Sequence, residues 1–142
     1  MTKEKHIDIV VIGSGPGGYA AAFRASDLGQ KVIIVDRDDE LGGVCLNRGC
    51  IPSKALLHIS KVIDETKYLS KIGVSFSKPK IDLDAVREHK NKIVSQLNTG
   101  IKQLAKVRKV ETMQGLASFL SDNQILVEGE NGKTKIIFKK CI

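Results

Sequence analysis

Apolar positions open the chain as a nearly continuous β-branched run, His6 to Ile12 (His-Ile-Asp-Ile-Val-Val-Ile). A strand buried within a parallel sheet carries this pattern. Tyr19 to Leu28 is alanine-rich and predicts a helix lying close on a sheet, stopped by Gly29. Lys31 to Asp36 predicts a second strand, completing a βαβ unit of about thirty residues. Arg37 to Ile51 reads as a loop, and a helix is expected to begin around Pro52, because proline suits a first turn. Ala55, Ile59, Val62, Ile63 and Leu69 follow helical spacing along it, and Gly73 to Pro79 breaks the pattern. A second long helix is expected, capped by Asp82 or Asp84, with Leu83, Val86, Ile93, Val94, Leu97, Ile101 and Leu104 as its apolar stripe and Gly100 weakening its continuity. Two such helices packed as a hairpin on one domain are a simpler arrangement than a coiled coil. From Val107 the period shortens. Val110–Gln114, Ala117–Leu120, Gln124–Val127 and Lys135–Phe138 predict short strands, with Asn131-Gly132 as a hairpin turn. The expected fold is α/β: a Rossmann-like parallel sheet, a helical hairpin and an antiparallel β-meander. The final Lys139-Lys140-Cys141-Ile142 has no polar tail, so the chain is expected to stop inside or just before a buried strand.

The length of 142 residues fits one domain, or an incomplete one. With 42% hydrophobic and 27% charged residues, the composition is that of a soluble globular protein. No apolar run approaches a membrane span, and the first apolar run ends in glycines without a small-residue cleavage site, so neither membrane insertion nor a signal peptide is expected. The net charge of +7 resides entirely after Ser53. Its lysines are scattered, aromatics are 4% and tryptophan is absent, which argues against nucleic-acid binding and for solvated helix faces.

Gly13-x-Gly15-x-x-Gly18 follows a predicted strand, opens a predicted helix and precedes a strand ending in Asp36. In that context it is a dinucleotide fingerprint. Gly13 permits the tight turn, Gly15 lets a pyrophosphate approach the backbone, and Gly18 lets the helix sit against the strand. The helix's free amides then face the phosphates. Asp36 is suited to accept hydrogen bonds from ribose hydroxyls and would repel a 2′-phosphate. The fingerprint does not separate FAD from NAD.

Three cysteines are present: Cys45, Cys50 and Cys141. An odd count without a secretory signal argues against a structural disulfide framework and for a cytoplasmic protein. Cys45 and Cys50 lie five positions apart, which on a regular helix turns their side chains away from each other. They can meet only through a distorted turn, which Gly49 eases; unpaired core thiols and a metal site are the competing readings. Cys50 would then sit at the start of the Pro52 helix, where a thiolate is favoured. No second ligand pair stands at metal-binding spacing, and His6, His58 and His89 are isolated. Cys141 reads as a small buried strand residue.

The run Gly42-Gly43-Val44-Cys45-Leu46-Asn47-Arg48-Gly49-Cys50-Ile51-Pro52-Ser53-Lys54 resembles the redox-disulfide signature of the pyridine nucleotide–disulfide oxidoreductases. These flavoproteins include glutathione, mercuric and lipoamide-type reductases, and the continuation Ala55-Leu56-Leu57-His58 is most similar to the lipoamide-type branch. The resemblance covers essentially the whole chain. It implies that Gly13, Ser14, Gly15, Pro16, Gly17 and Gly18 contact the FAD pyrophosphate and Asp36 the ribose. Arg37, Gly42, Gly43, Val44 and Cys45 would line the cofactor cleft, Lys54 would lie near the flavin ring, and Gly115 would touch the adenine end. Cys45 and Cys50 are implied as the catalytic disulfide, with Cys50 facing the flavin and Cys45 exchanging with protein-bound dihydrolipoamide. Electrons would pass to FAD and then to NAD⁺, in a homodimer associated with 2-oxoacid dehydrogenase complexes and their lipoyl domains. Arg48 departs from the small apolar residue common at its position. The family also uses an NAD-binding domain, a returning flavin segment, a dimerisation domain and a His–Glu pair from a partner subunit. Residues 1–142 are therefore expected to be an incomplete flavin domain without turnover of its own. Within the same family, mercuric and glutathione reductases are the rivals. A stand-alone dinucleotide-binding module that senses redox state is the rival of another class.

Overall fold

The computed structural model describes residues 3–130 and 132–142. Strand β1 (Lys3–Ile12) leads through the glycine turn into helix α1 (Pro16–Asp27) and back into β2 (Val32–Asp36). Helices α2 (Gly43–Arg48), α3 (Cys50–Leu69) and α4 (Leu83–Val107) follow, with a short 3₁₀ turn at Ser70–Ile72. Strands β3 (Glu111–Gln114), β4 (Leu116–Ser121), β5 (Gln124–Gly129) and β6 (Gly132–Cys141) complete the fold.

All six strands form one mixed sheet in the order β3-β2-β1-β6-β5-β4. The expected parallel sheet and antiparallel meander are therefore not separate. Strand β6 joins them, pairing antiparallel with β5 and parallel with β1, so that Cys141 lies opposite Val10. The two strands at opposite ends of this order, β3 and β4, are separated in sequence by Gly115 alone. Strand periodicity divides the core into two clusters. Val11, Val32 and Ile34 pack with Ala22 and Ala25 of α1 and with Ile101 and Ala105 of α4. Val10, Ile33 and Val35 belong to a second cluster with Ile125, Val127, Ile136 and Phe138. The predicted Asn131-Gly132 turn falls partly outside the described residues; on either side of it, Gly129 pairs with Gly132.

Several boundaries differ from the sequence pattern, for physical reasons. Helix α1 begins at Pro16 rather than Tyr19, because proline takes the first helical position. The segment Arg37–Ile51, expected to be a loop, contains α2 and the start of α3, so the helix expected at Pro52 already begins at Cys50. Asp82 caps α4, its carboxylate accepting from the Asp84 and Ala85 amides, and the helix runs unbroken through Gly100. The apolar stripe assigned to α4 holds in part: Ile101 is buried and Val86, Ile93 and Val94 are half-buried, but Leu83, Leu97 and Leu104 are exposed, and Asn98 and Ala105 take buried places instead. On α3, Val62 is likewise exposed, and no α3 residue is fully buried. Cys141 is half-buried rather than buried, and that burial raises its thiol pKa. No helix of the described residues is long and apolar enough to cross a membrane.

Candidate active site

The β1–α1 turn follows from its glycines. Gly13 has φ +104°, a left-handed conformation that favours glycine. A Cβ on Gly18 would lie 1.9 Å from the Gly13 carbonyl oxygen, so helix and turn can approach only because no side chain stands there. At Gly15, by contrast, a Cβ would meet nothing within 4 Å, leaving open space over the backbone at the helix start. Ser14 is fully buried, and its Oγ has no hydrogen-bond partner among the described residues.

Asp36 closes one side of this turn. Its Oδ2 accepts from the Ser14 amide at 2.6 Å and its Oδ1 from the Asp38 amide at 3.0 Å. Burial pushes the Asp36 carboxyl up, but the hydrogen bonds from the Ser14 and Asp38 amides and the Arg37 charge outweigh it and hold the carboxyl below its ordinary range. A depressed folded pKa gives stability that is complete above the unfolded value of about 3.9 and is lost as pH falls through the lower folded value. Asp36→Asn is therefore expected to lose less stability than the parent as pH falls below about 4 in acid unfolding titrations. Identical acid limbs for the two proteins would contradict this role.

A cleft of about 210 Å³ gathers Gly13, Asp36, Arg37 and Gly115 along its lining, together with Leu116 and Ala117. Gly115 has φ +155°, donates its amide to the Asp36 carbonyl at 2.8 Å, and would place a Cβ 2.8 Å from the Glu128 carbonyl oxygen. Its glycine is thus demanded by the strand corner itself.

The second part of the site leans directly on the first. The Gly42 amide donates to the Ser14 carbonyl at 2.9 Å, and a Cβ on Gly43 would come within 2.8 Å of the Gly15 Cα. Both Gly42 and Gly43 have positive φ, which lets the chain double back over the turn and enter α2. Cys45 on α2 and Cys50, the first residue of α3, form a disulfide with their Cα atoms 4.8 Å apart. The distorted turn is a helix break at Gly49, where the backbone leaves the helical region and a Cβ would sit 3.1 Å from the Val44 carbonyl oxygen. Cys45 is half-buried and Cys50 exposed. Reduction would release the Cys50 sulfur at the amide-rich end of a 20-residue helix, where a thiolate is stabilised.

Among the residues named from sequence, the structure brings together Gly13, Ser14, Gly15, Asp36, Gly42 and Gly43, with Arg37 and Gly115 in the adjoining cleft. Pro16 and Gly17 form the first turn of α1. Val44 and Lys54 are exposed on α2 and α3, outside that cleft. His6, His58 and His89 are all exposed, and no group of three or more His, Cys, Asp or Glu side chains is placed to ligate a metal among the described residues. Arg48 pairs with Asp38 at 2.5 Å, tying the end of α2 to the segment after Asp36. Two residues escaped the sequence reading. Asn47 Nδ2 donates to the Leu41 and Gly43 carbonyls, each at 3.1 Å, and Asn98 reaches the same segment from α4. A polar residue in helical register with Val94, Ile101 and Ala105 is the signal that marks Asn98.

Comparison with known proteins identifies a family. Residues 7–142 match the family described as pyridine nucleotide-disulphide oxidoreductase. The whole chain is 51% identical over 142 residues to a dihydrolipoyl dehydrogenase of Vibrio cholerae and 48% identical over 143 aligned positions to one of Haemophilus influenzae. It is 42% identical over 127 residues, 88% of this chain, to the corresponding protein of Bacillus subtilis. The chain spans about 30% of the length of the first two relatives and 28% of the third. With residues 7–142 matched, nearly the full chain, this protein belongs to the pyridine nucleotide-disulphide oxidoreductase family.

Proposed function

We propose that residues 1–142 form the N-terminal part of the FAD-binding domain of an enzyme that oxidises protein-bound dihydrolipoamide and reduces NAD⁺. The observation that carries this reading is the abutment of the two glycine turns. Gly42 and Gly43 seat the disulfide-bearing helix directly on Ser14 and Gly15. A dinucleotide turn in direct contact with the start of a disulfide-bearing helix suits a protein that passes electrons between a thiol substrate and a bound dinucleotide. The dihydrolipoyl dehydrogenase names of the relatives favour dihydrolipoamide as that substrate.

The residues present fit FAD. The buried Ser14 Oγ is without a partner, Gly15 leaves room above the α1 amides, and Asp36 stands in the adjoining cleft with Gly115. Gly13 to Gly18 would hold the pyrophosphate and Asp36 the ribose, with Arg37, Gly42, Gly43, Val44, Cys45, Cys50 and Lys54 along the rest of the cofactor. Bound there, FAD would carry the electron pair from the dithiol to NAD⁺.

The protein's own chemistry is thiol–disulfide exchange. A thiolate of dihydrolipoamide attacks the Cys45 sulfur, and the Cys45–Cys50 bond breaks with its electron pair on Cys50. The first amides of α3 stabilise that leaving thiolate. The second substrate thiol then attacks the mixed disulfide, releasing Cys45 as a thiolate and lipoamide as a closed disulfide. Two electrons and two protons leave the substrate, and the two protein sulfurs are reduced. A homodimer, with a partner's His–Glu pair taking the protons, and docking to 2-oxoacid dehydrogenase complexes belong to the same proposal. On this reading residues 1–142 alone, even loaded with FAD, do not turn over.

Asp36→Ala in the full-length protein tests the cofactor assignment. Losing hydrogen bonds to a charged group costs about 1.5–3 kcal/mol, a loss of about 10- to 150-fold in flavin affinity by equilibrium titration. Unchanged flavin affinity would remove Asp36 from the site.

A further inference from the structure

We propose that Asn98 is a positioning residue for the Cys45–Cys50 couple, holding α2 where its sulfur meets that of α3. The proposal rests on the redox reading of the two cysteines given above. Asn98 is 5% exposed, in the second half of α4. Its Nδ2 donates to the Leu41 carbonyl at 2.6 Å and to Asn47 Oδ1 at 3.3 Å. Leu41 immediately precedes the two glycines that seat on the dinucleotide turn, and Asn47 lies between the two cysteines. Asn47 in turn donates to the Leu41 and Gly43 carbonyls. The Leu41 carbonyl is thus gripped by two amides, one from within α2 and one from α4.

This arrangement has a reason in the length of α2. Six residues flanked by glycines do not hold a helix in water, so α2 needs restraint from outside. Helix α3 also packs on α4. Helices α2 and α3 also pack directly on each other, and the hold of α4 on both adds to that contact in fixing where the sulfurs meet. A buried amide on an otherwise apolar helix face is costly unless its hydrogen bonds are made, and here they are made to the disulfide segment alone. Packing by itself would be met by leucine.

Releasing that hold lets α2 drift when the cysteines are reduced. The effective concentration of one thiol toward the other falls, and the disulfide becomes easier to reduce. The reaction read out is disulfide plus reduced dithiothreitol giving two protein thiols plus cyclic oxidised dithiothreitol, which moves two electrons and two protons. The full-length protein, parent and variants, is equilibrated anaerobically in mixtures of reduced and oxidised dithiothreitol. Thiols are then trapped by alkylation, and the peptide carrying Cys45 and Cys50 is quantified by mass spectrometry. Asn98→Asp removes the donors at constant shape, and Asn98→Leu removes them at similar volume. In both, the equilibrium constant for disulfide formation is expected to fall about five- to tenfold, or about 20–30 mV for a two-electron couple. A packing role would leave this potential unmoved. A value within about twofold of the parent in folded Asn98→Leu, or failure of that variant to fold, overturns the proposal. A parent whose two thiols never form an internal disulfide overturns the redox reading, and this proposal with it.

Discussion

Cys50→Ser in the full-length protein is expected to lower dihydrolipoamide-dependent NADH formation by about 10³-fold or more, as removal of a covalent catalytic group does. Serine is nearly isosteric, and Cys50 is exposed at the start of α3, so the fold should survive. What disappears is the disulfide. A substrate thiolate can no longer be oxidised by exchange, because Cys45 has no partner sulfur to expel. Flavin content and unfolding midpoint measured beside the rate separate lost chemistry from lost structure. A rate within about tenfold of the parent would remove this sulfur from the mechanism.

Gly18→Ala is expected to have the largest effect on the fold itself. Its Cβ would lie 1.9 Å from the Gly13 carbonyl oxygen, 2.9 Å from the Gly13 carbonyl carbon and 3.5 Å from a Val11 methyl. The nearest two atoms are backbone of Gly13, so relief requires α1 to move away from the glycine turn. Overpacking a core costs typically 1–3 kcal/mol, and a main-chain clash belongs at or above the top of that range, about 3 kcal/mol or more. Gly15→Ala is the companion variant. Its Cβ meets nothing, so stability should change by less than about 1 kcal/mol, while the methyl group intrudes where a pyrophosphate would approach. Chemical denaturation of both variants, with flavin titration of the second, tests the pair. Equal stabilities for Gly18→Ala and the parent would contradict the close approach of α1 to the Gly13 turn.

The same contrast explains how much of the molecule is legible in its sequence. Strands β1 and β2 are readable because Ile9 to Val11 and Val32 to Val35 fill both faces of the sheet, and burial on both faces leaves a continuous apolar run. The glycine turn is readable because its spacing reflects backbone requirements that few other residues meet. Helix α2 is not readable: two glycines stand at its start, it is six residues long, and what holds it is the Asn47 and Asn98 amides rather than periodicity. The α4 stripe misleads for a related reason. Its buried face runs through a polar Asn98 and a small Ala105, while Leu97 and Leu104 are 44% and 46% exposed. The distorted turn that lets Cys45 reach Cys50 is legible in outline from Gly49, but its placement on Ser14 and Gly15 depends on Gly42 and Gly43 doubling back. Arg48 becomes intelligible only beside Asp38, ten positions earlier in the chain.

On the proposed function, the turn bearing Gly13–Gly18 and the disulfide of Cys45 and Cys50 serve one electron path from dihydrolipoamide to NAD⁺. Steady-state NADH formation by the purified full-length protein, loaded with FAD, tests it most directly, with dihydrolipoamide, reduced glutathione and no thiol as parallel substrates. Sustained NADH formation with dihydrolipoamide, little with glutathione, and loss of the dihydrolipoamide rate in Cys45→Ser and Cys50→Ser alike are expected. No NADH from dihydrolipoamide, or an equal rate after either cysteine is replaced, would contradict that path.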